Sequence, residues 1–188
     1  MNLEQSIEEI KQSIIEKGVL VYPKLSQDEI ESFNTQYNTS LPKEYVMFLT
    51  EIGDGWKKTK TEQFWTISMN QLRASFIRPH NIGKVFPFTD GWLWEEDDGS
   101  EMFPQKTDES DLEYNKRISD LMDATAYGHL TLVDLGDGAG WDLIINGPSK
   151  GQIWFICGEG MMPCNPRLTF FEWVKKWLEG KREITDFI

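Results

Sequence analysis

Residues 130–156, LTLVDLGDGAGWDLIINGPSKGQIWFI, restrict the fold more than any other part of the chain. Three runs rich in β-branched and aromatic residues, 131–135, 141–145 and 152–156, are separated by Gly-Asp-Gly-Ala-Gly and Asn-Gly-Pro-Ser-Lys-Gly. That is a strand, turn, strand, turn, strand pattern. Connections this short let neighbours pair antiparallel, whereas a parallel return needs a crossover of about a dozen residues. The spacing predicts a three-stranded meander. Its exposed face must be covered, and amphipathic helices are the available cover.

The remainder of the chain supplies them. Leu3, Ile7, Ile10 and Ile14 recur at helical spacing among charged residues and predict an opening helix that Gly18 stops. Residues 19–22 read as a short strand closed by Pro23. Ser26 and Glu29 form a capping box, Leu25 and Ile30 a hydrophobic staple, and Ile30, Phe33 and Tyr37 an apolar stripe. A third helix follows over 41–52, with Ser40 as its cap, Pro42 in its first turn and Gly53 as a left-handed terminator. Trp56-Lys57-Lys58-Thr59-Lys60 reads as a basic, exposed loop, 64–67 as a strand, and Ser68 with Gln71 as the start of a short helix ending before Pro79. Residues 88–94 read as a turn and a short aromatic strand. Ser110 and Glu113 cap a helix carrying Tyr114, Ile118, Leu121, Met122 and Thr125. Thr169 and Glu172 cap the last one, whose wide apolar face holds Phe170, Trp173, Val174, Trp177 and Leu178. The tail ends in Phe187-Ile188, apolar enough to pack. The expected architecture is α+β: one domain over 1–188, with a mainly antiparallel, twisted sheet, the meander towards its C-terminal end, and about five covering helices.

Two stretches carry a family resemblance. Leu41-Pro42-Lys43-Glu44-Tyr45-Val46-Met47-Phe48-Leu49, followed by Gly53-Asp54-Gly55, resembles the signature of the SMI1/KNR4 family, the SUKH superfamily. That signature has Leu-Pro, an acidic residue, an aromatic and Phe-Leu before an Asn-Gly-Gly-like turn; this chain departs from it in having Gly-Asp-Gly. The run from Gly147 through Gly151 to Trp154 is similar to the family's Gly-x-x-x-Gly-x-Val/Ile-Trp turn, and residues 136–142 to its glycine-and-acid turn. The resemblance implies a SUKH-like α+β fold and a binding role with no catalytic residues to carry over. Bacterial members of the family are immunity proteins that bind and block the toxin domain, often a nuclease, of a secreted effector. Fungal members are hubs of cell-wall signalling.

Charge narrows the kind of partner. With 31 acidic against 19 basic residues, the net charge of −12 disfavours nucleic acid and anionic membrane and favours basic partners. Nine acidic residues lie between positions 95 and 113 against Lys106 alone, a local −8. Gly99 and Pro104 mark this stretch as an exposed loop. A solvated loop is the ordinary reading of such a run. The functional reading adds the neighbouring tryptophans, since charge steers a basic surface in and aromatic rings grip it. The partner-binding candidates are Glu95, Glu96, Asp97, Asp98, Glu101, Asp108 and Glu109, with Trp56, Trp92 and Trp94. Core packing is the competing reading for each tryptophan.

Sites for chemistry are sparse. The two histidines, His80 and His129, have no partner at motif spacing, and no GxSxG, HExxH or GxxxxGKS occurs. Cys157 and Cys164 lack CxxC spacing and read as reduced thiols. Asp134, Asp137 and Asp142 could surround a hard cation and serve a metal-dependent hydrolase, but Gly and Asp are also what tight turns select. The turn reading is preferred, with no metal and no cofactor. There is neither a charged leader before an apolar stretch nor an apolar run approaching the ~20 residues that span a bilayer, so a soluble, cytoplasmic protein is expected. The leading expectation is a non-enzymatic immunity protein that covers the basic face of a toxin domain. A regulatory scaffold binding a cellular protein is the alternative.

Overall fold

Among the described residues of the computed structural model, five strands form one antiparallel sheet: β1 (Trp92–Leu93), β2 (His129–Gly136), β3 (Ala139–Ile144), β4 (Ile153–Cys157) and β5 (Gly160–Pro163), in the order β1-β5-β4-β3-β2. The structure describes residues 2–57, 69, 71–73, 79–94, 103–181 and 183–188, with the backbone alone at 79 and 80. The expected strand at 64–67, residues 58–60 of the basic loop and most of the helix expected after Ser68 fall outside them.

The meander is present as β2, β3 and β4. Its first turn is tighter than the glycine run implies, because β2 and β3 extend through Gly136 and Ala139 and leave Asp137-Gly138 as a two-residue turn. Both residues have positive φ, +51° and +77°, the type I′ geometry that suits the twist of a hairpin. Sequence reasoning missed β5. Its Gly-Met-Met-Pro has no β-branched residue, and it is held as a strand by pairing with β4 on one side and β1 on the other.

Both faces of the sheet are covered. Trp141, Leu143, Ile153 and Phe155 face the main core, joined by Leu130, Leu132 and Val133. A bulge between Thr131 and Val133 lets consecutive Leu132 and Val133 enter the same core, which strict alternation would forbid. The opposite face carries Ile144, Trp154 and Met161, and its cover is a layer of aromatics from coil and edge strand: Phe86 and Trp92, flanked by Phe88, Trp94 and Phe103.

The helices are α1 (Leu3–Glu16), α2 (Gln27–Gln36), α3 (Lys43–Glu51), the four-residue α4 (Pro79–Ile82), α5 (Asp111–Thr125) and α6 (Phe170–Leu178). The capping boxes of α2, α5 and α6 form as expected, with Ser26, Ser110 and Thr169 accepting from the backbone N–H three residues on. α3 differs. Pro42, not Ser40, is its N-cap and no side chain caps it. Gly53 has no left-handed φ; it is small because a Cβ there would lie 2.3 Å from the Tyr22 carbonyl oxygen. Pro79 opens α4, a position that costs no hydrogen bond.

α6 buries Phe170, Phe171, Trp173, Val174, Trp177 and Leu178, while Ile7, Ile10 and Ile14 of α1 and Tyr45, Phe48 and Leu49 of α3 join the same core. Phe187 of the tail is buried there too, its ring tilted against Trp141 at 4.8 Å between centroids. α5 does not share this role. None of its residues is buried, and Leu112 and Met122 are 81% and 57% exposed. No described helix is long and apolar enough to cross a membrane.

Candidate functional site

The acidic stretch is rooted in the aromatic layer. β1 pairs with β5 through Trp92 and Met161, and the Trp94 N–H donates to the Glu159 carbonyl at 2.9 Å. On the far side of the stretch, Phe103 packs against both tryptophans, with ring centroids 5.2 Å from Trp92 and 5.9 Å from Trp94. The two ends of the 95–102 segment are thus held together on the sheet. Glu95, Glu96, Asp97, Asp98 and Glu101 themselves lie outside the described residues.

The other candidates separate by burial. Asp108 is exposed and Trp94 half-buried, so both are open to a partner. Trp92 is 6% exposed and belongs to the second core. Trp56, expected beside an exposed loop, is 3% exposed: it stacks on Trp173 at 6.4 Å and packs on Trp177 and Phe48. Its burial follows from the isolated bridge Val21–Trp56, which ties the loop across the top of the core. Neither Trp56 nor Trp92 is a surface anchor.

Glu109 is also withdrawn from the acidic surface. Arg117 donates to it from Nε at 2.7 Å and from a terminal nitrogen at 2.8 Å, and the Lys106 N–H adds a third bond at 3.1 Å. The guanidinium holds its carboxyl at about 2, against an ordinary 4.5, with burial opposing. A depressed folded-state value means the stabilisation is complete above about 4.5 and disappears as the pH falls towards 2. Glu109→Gln should therefore melt below the parent at pH 7, with the two converging near pH 2 in thermal unfolding. A gap independent of pH would contradict the pairing.

A buried polar network lies on the second face of the sheet. Asp142 is 2% exposed, and its Oδ1 receives the Thr131 hydroxyl at 2.7 Å and lies 2.7 Å from Nδ1 of His129. Nε2 of His129 lies 3.0 Å from the Thr125 carbonyl at the end of α5. Strand register creates this group, since Thr131 opposes Asp142 and His129 opposes Ile144. The arrangement contains the residue types of a hydrolytic triad but not its connectivity. In a triad the far imidazole nitrogen takes a proton from the nucleophile, whereas here it faces a carbonyl that has none to give, and the hydroxyl is committed to the carboxylate. The network clamps the end of α5 to β2 and β3. The side chain of His80 lies outside the described residues.

The three aspartates considered for a cation do not act together. Asp134 accepts the Gly136 N–H at 2.8 Å, Asp137 sits in the hairpin turn, and Asp142 is spent on His129 and Thr131. Among the described residues no three His, Cys, Asp or Glu side chains are grouped to hold a metal ion. Cys157 and Cys164 are both free thiols, and burial pushes the Cys164 thiol up to about 12.

Asp54, at the centre of the Gly53-Asp54-Gly55 turn, carries a role that the sequence did not disclose. It is fully buried and accepts from the backbone N–H of Leu72 at 2.6 Å and of Arg73 at 3.3 Å. Burial pushes its carboxyl upward, and those two N–H groups act against the shift. The Arg73 side chain then reaches Glu29 and the carbonyls of Pro23 and Lys24, fixing residues 71–73 beside α2. Comparison with family models, with curated proteins and with solved structures returned no match.

Proposed function

We propose that the chain is a non-enzymatic protein-binding module of the cytoplasm, an immunity protein that neutralises a basic toxin domain through its acidic surface. One observation carries this reading: five of the nine acidic residues between positions 95 and 113 fall in the segment flanked by Trp94 and Phe103, which pack with Trp92 as an aromatic platform on the sheet. A concentrated negative patch on a rigid aromatic base attracts a cationic surface at long range and offers it Trp94 as a contact. The resemblance to the SMI1/KNR4 family supports a binding role, and its bacterial members support immunity over scaffolding. A nuclease domain fits because its own substrate demands a basic face, which an acidic protein can cover.

Neutralising Glu95, Glu96, Asp97 and Asp98 together to their amides tests the electrostatic part. At low salt, association with a basic nuclease-type toxin domain should slow by roughly 10 to 10³, and the difference should shrink as salt is added. Unchanged association would remove the acidic segment from the interface. Co-expression tests the biology: growth of cells that make the toxin domain should be rescued by this chain, and no rescue would favour the scaffold role.

A further inference from the structure

A cleft of about 390 Å³ opens beside α2, on a surface the sequence did not single out. Leu25, Phe33 and Leu72 form its apolar floor, with Phe33 and Tyr37 in ring contact at 4.7 Å. Asp28 stands at its rim. Arg73 also lines it, but its guanidinium is already spent on Glu29, at 2.9 and 3.1 Å, and on two backbone carbonyls. Glu29 and Arg73 cancel. A shallower hollow on the outer face of the helix adjoins across the row Asp28, Ser32, Gln36 and adds Glu31, which accepts a Gln27 amide at 3.1 Å. Asp28 has no ion-pair partner among the described residues. What remains is an apolar, aromatic slot with two carboxylates at its edge.

That combination specifies its occupant. An anion meets Asp28 and Glu31, and a purely apolar ligand leaves Asp28 to be desolvated without compensation. An arginine side chain satisfies both parts. Its methylene stem covers Leu25, Phe33 and Leu72, while its planar, weakly hydrated guanidinium stacks on Tyr37 and donates a fork of N–H groups to Asp28. Lysine has the stem but a compact, strongly hydrated head that stacks less well.

We propose that the α2 cleft receives an arginine side chain from the protein partner, a second contact on a different element from the acidic segment. The idea rests on the reading of the partner as a basic protein. Hexa-arginine peptide is the probe, titrated onto the full chain by calorimetry and followed by backbone-amide NMR, with hexalysine as comparison. Amide shifts should concentrate at 28–37 and 72–73, and hexa-arginine should bind more tightly than hexalysine. Asp28→Asn should weaken binding about tenfold, by loss of a charge-assisted fork. Tyr37→Leu, which keeps the apolar volume, should weaken it about two- to fivefold. Ser32→Trp, which overhangs the cleft from an exposed position, should weaken it at least tenfold, and Gln36→Trp serves if that variant fails to fold.

The variant neutralised at 95–98 separates the two ideas. If it alone loses the peptide while Asp28→Asn and Ser32→Trp bind as the parent does, the cleft proposal is overturned and the acidic-segment reading stands. If it binds peptide and toxin domain as the parent does while the cleft variants lose both, the cleft carries the recognition and the acidic-segment reading falls. Shifts confined to residues away from α2 also overturn the cleft.

Discussion

Trp173→Ala is expected to cost about 3–5 kcal/mol of folding free energy, the upper end for truncating a core aromatic. The residue has no exposed surface, and its ring lies 5.3 Å from Trp177, 6.3 Å from Phe187, 6.4 Å from Trp56 and 6.5 Å from Trp141. Removing it opens a void where α6, the Val21–Trp56 bridge, β3 and the C-terminal tail meet. Four anchored elements cannot collapse together to fill it. Urea unfolding gives the measure, and a loss below about 1.5 kcal/mol would mean that the site repacks. Trp173→Phe should cost distinctly less than its volume alone implies. The indole Nε1 is buried with no hydrogen-bond partner among the described residues, so phenylalanine removes an unsatisfied donor along with the second ring. Leu112→Ala on α5 is the control, and at 81% exposure should stay within about 0.5 kcal/mol of the parent.

What could be read from the sequence was local. Each capping box needs only a Ser or Thr and a Glu three residues later, and α2, α5 and α6 all begin where those pairs stand. The meander was legible for the same reason, its turns being written in glycine and aspartate. Errors came where distant parts of the chain decide. α5 has an apolar stripe but buries nothing, because the main face of the sheet is taken by α1, α3 and α6 and the other by coil aromatics. Trp56 beside two lysines looked like surface until its bridge to Val21 turned it inward. The Asp142–His129 contact depends on register, and the α2 cleft on a buried aspartate holding residues 18 and 19 positions away. Nothing in periodicity or spacing announces either.

The second of the family-like turns yields the other large effect. Gly147 has φ +102°, and a Cβ built on it would sit 2.2 Å from the carbonyl oxygen of Phe86. The bonds from the Asn146 N–H to the Gly128 carbonyl and from the Lys150 N–H to the Gly147 carbonyl hold the turn, and the bond from the Phe86 N–H to the Asn146 carbonyl holds it against Phe86, so neither backbone is free to yield. Gly147→Ala should therefore cost on the order of 3 kcal/mol or more, combining conformational strain with a backbone clash. Gly138→Ala isolates the first contribution. Its φ is also positive, +77°, but no atom lies within 4 Å of its Cβ position, so about 1–2 kcal/mol is expected. Equal losses in the two variants would show that the contact at Phe86 is not constraining. The same variant reaches the proposed interface without touching it, because Phe86 contacts Trp154 at 5.0 Å and Phe88, which packs on Trp92 at 5.8 Å. Displacing Phe86 shifts the platform that anchors the ends of the acidic segment. Gly147→Ala should then speed dissociation from a basic partner, with the salt dependence of association left as in the parent, since it changes the position of the charges and not their number.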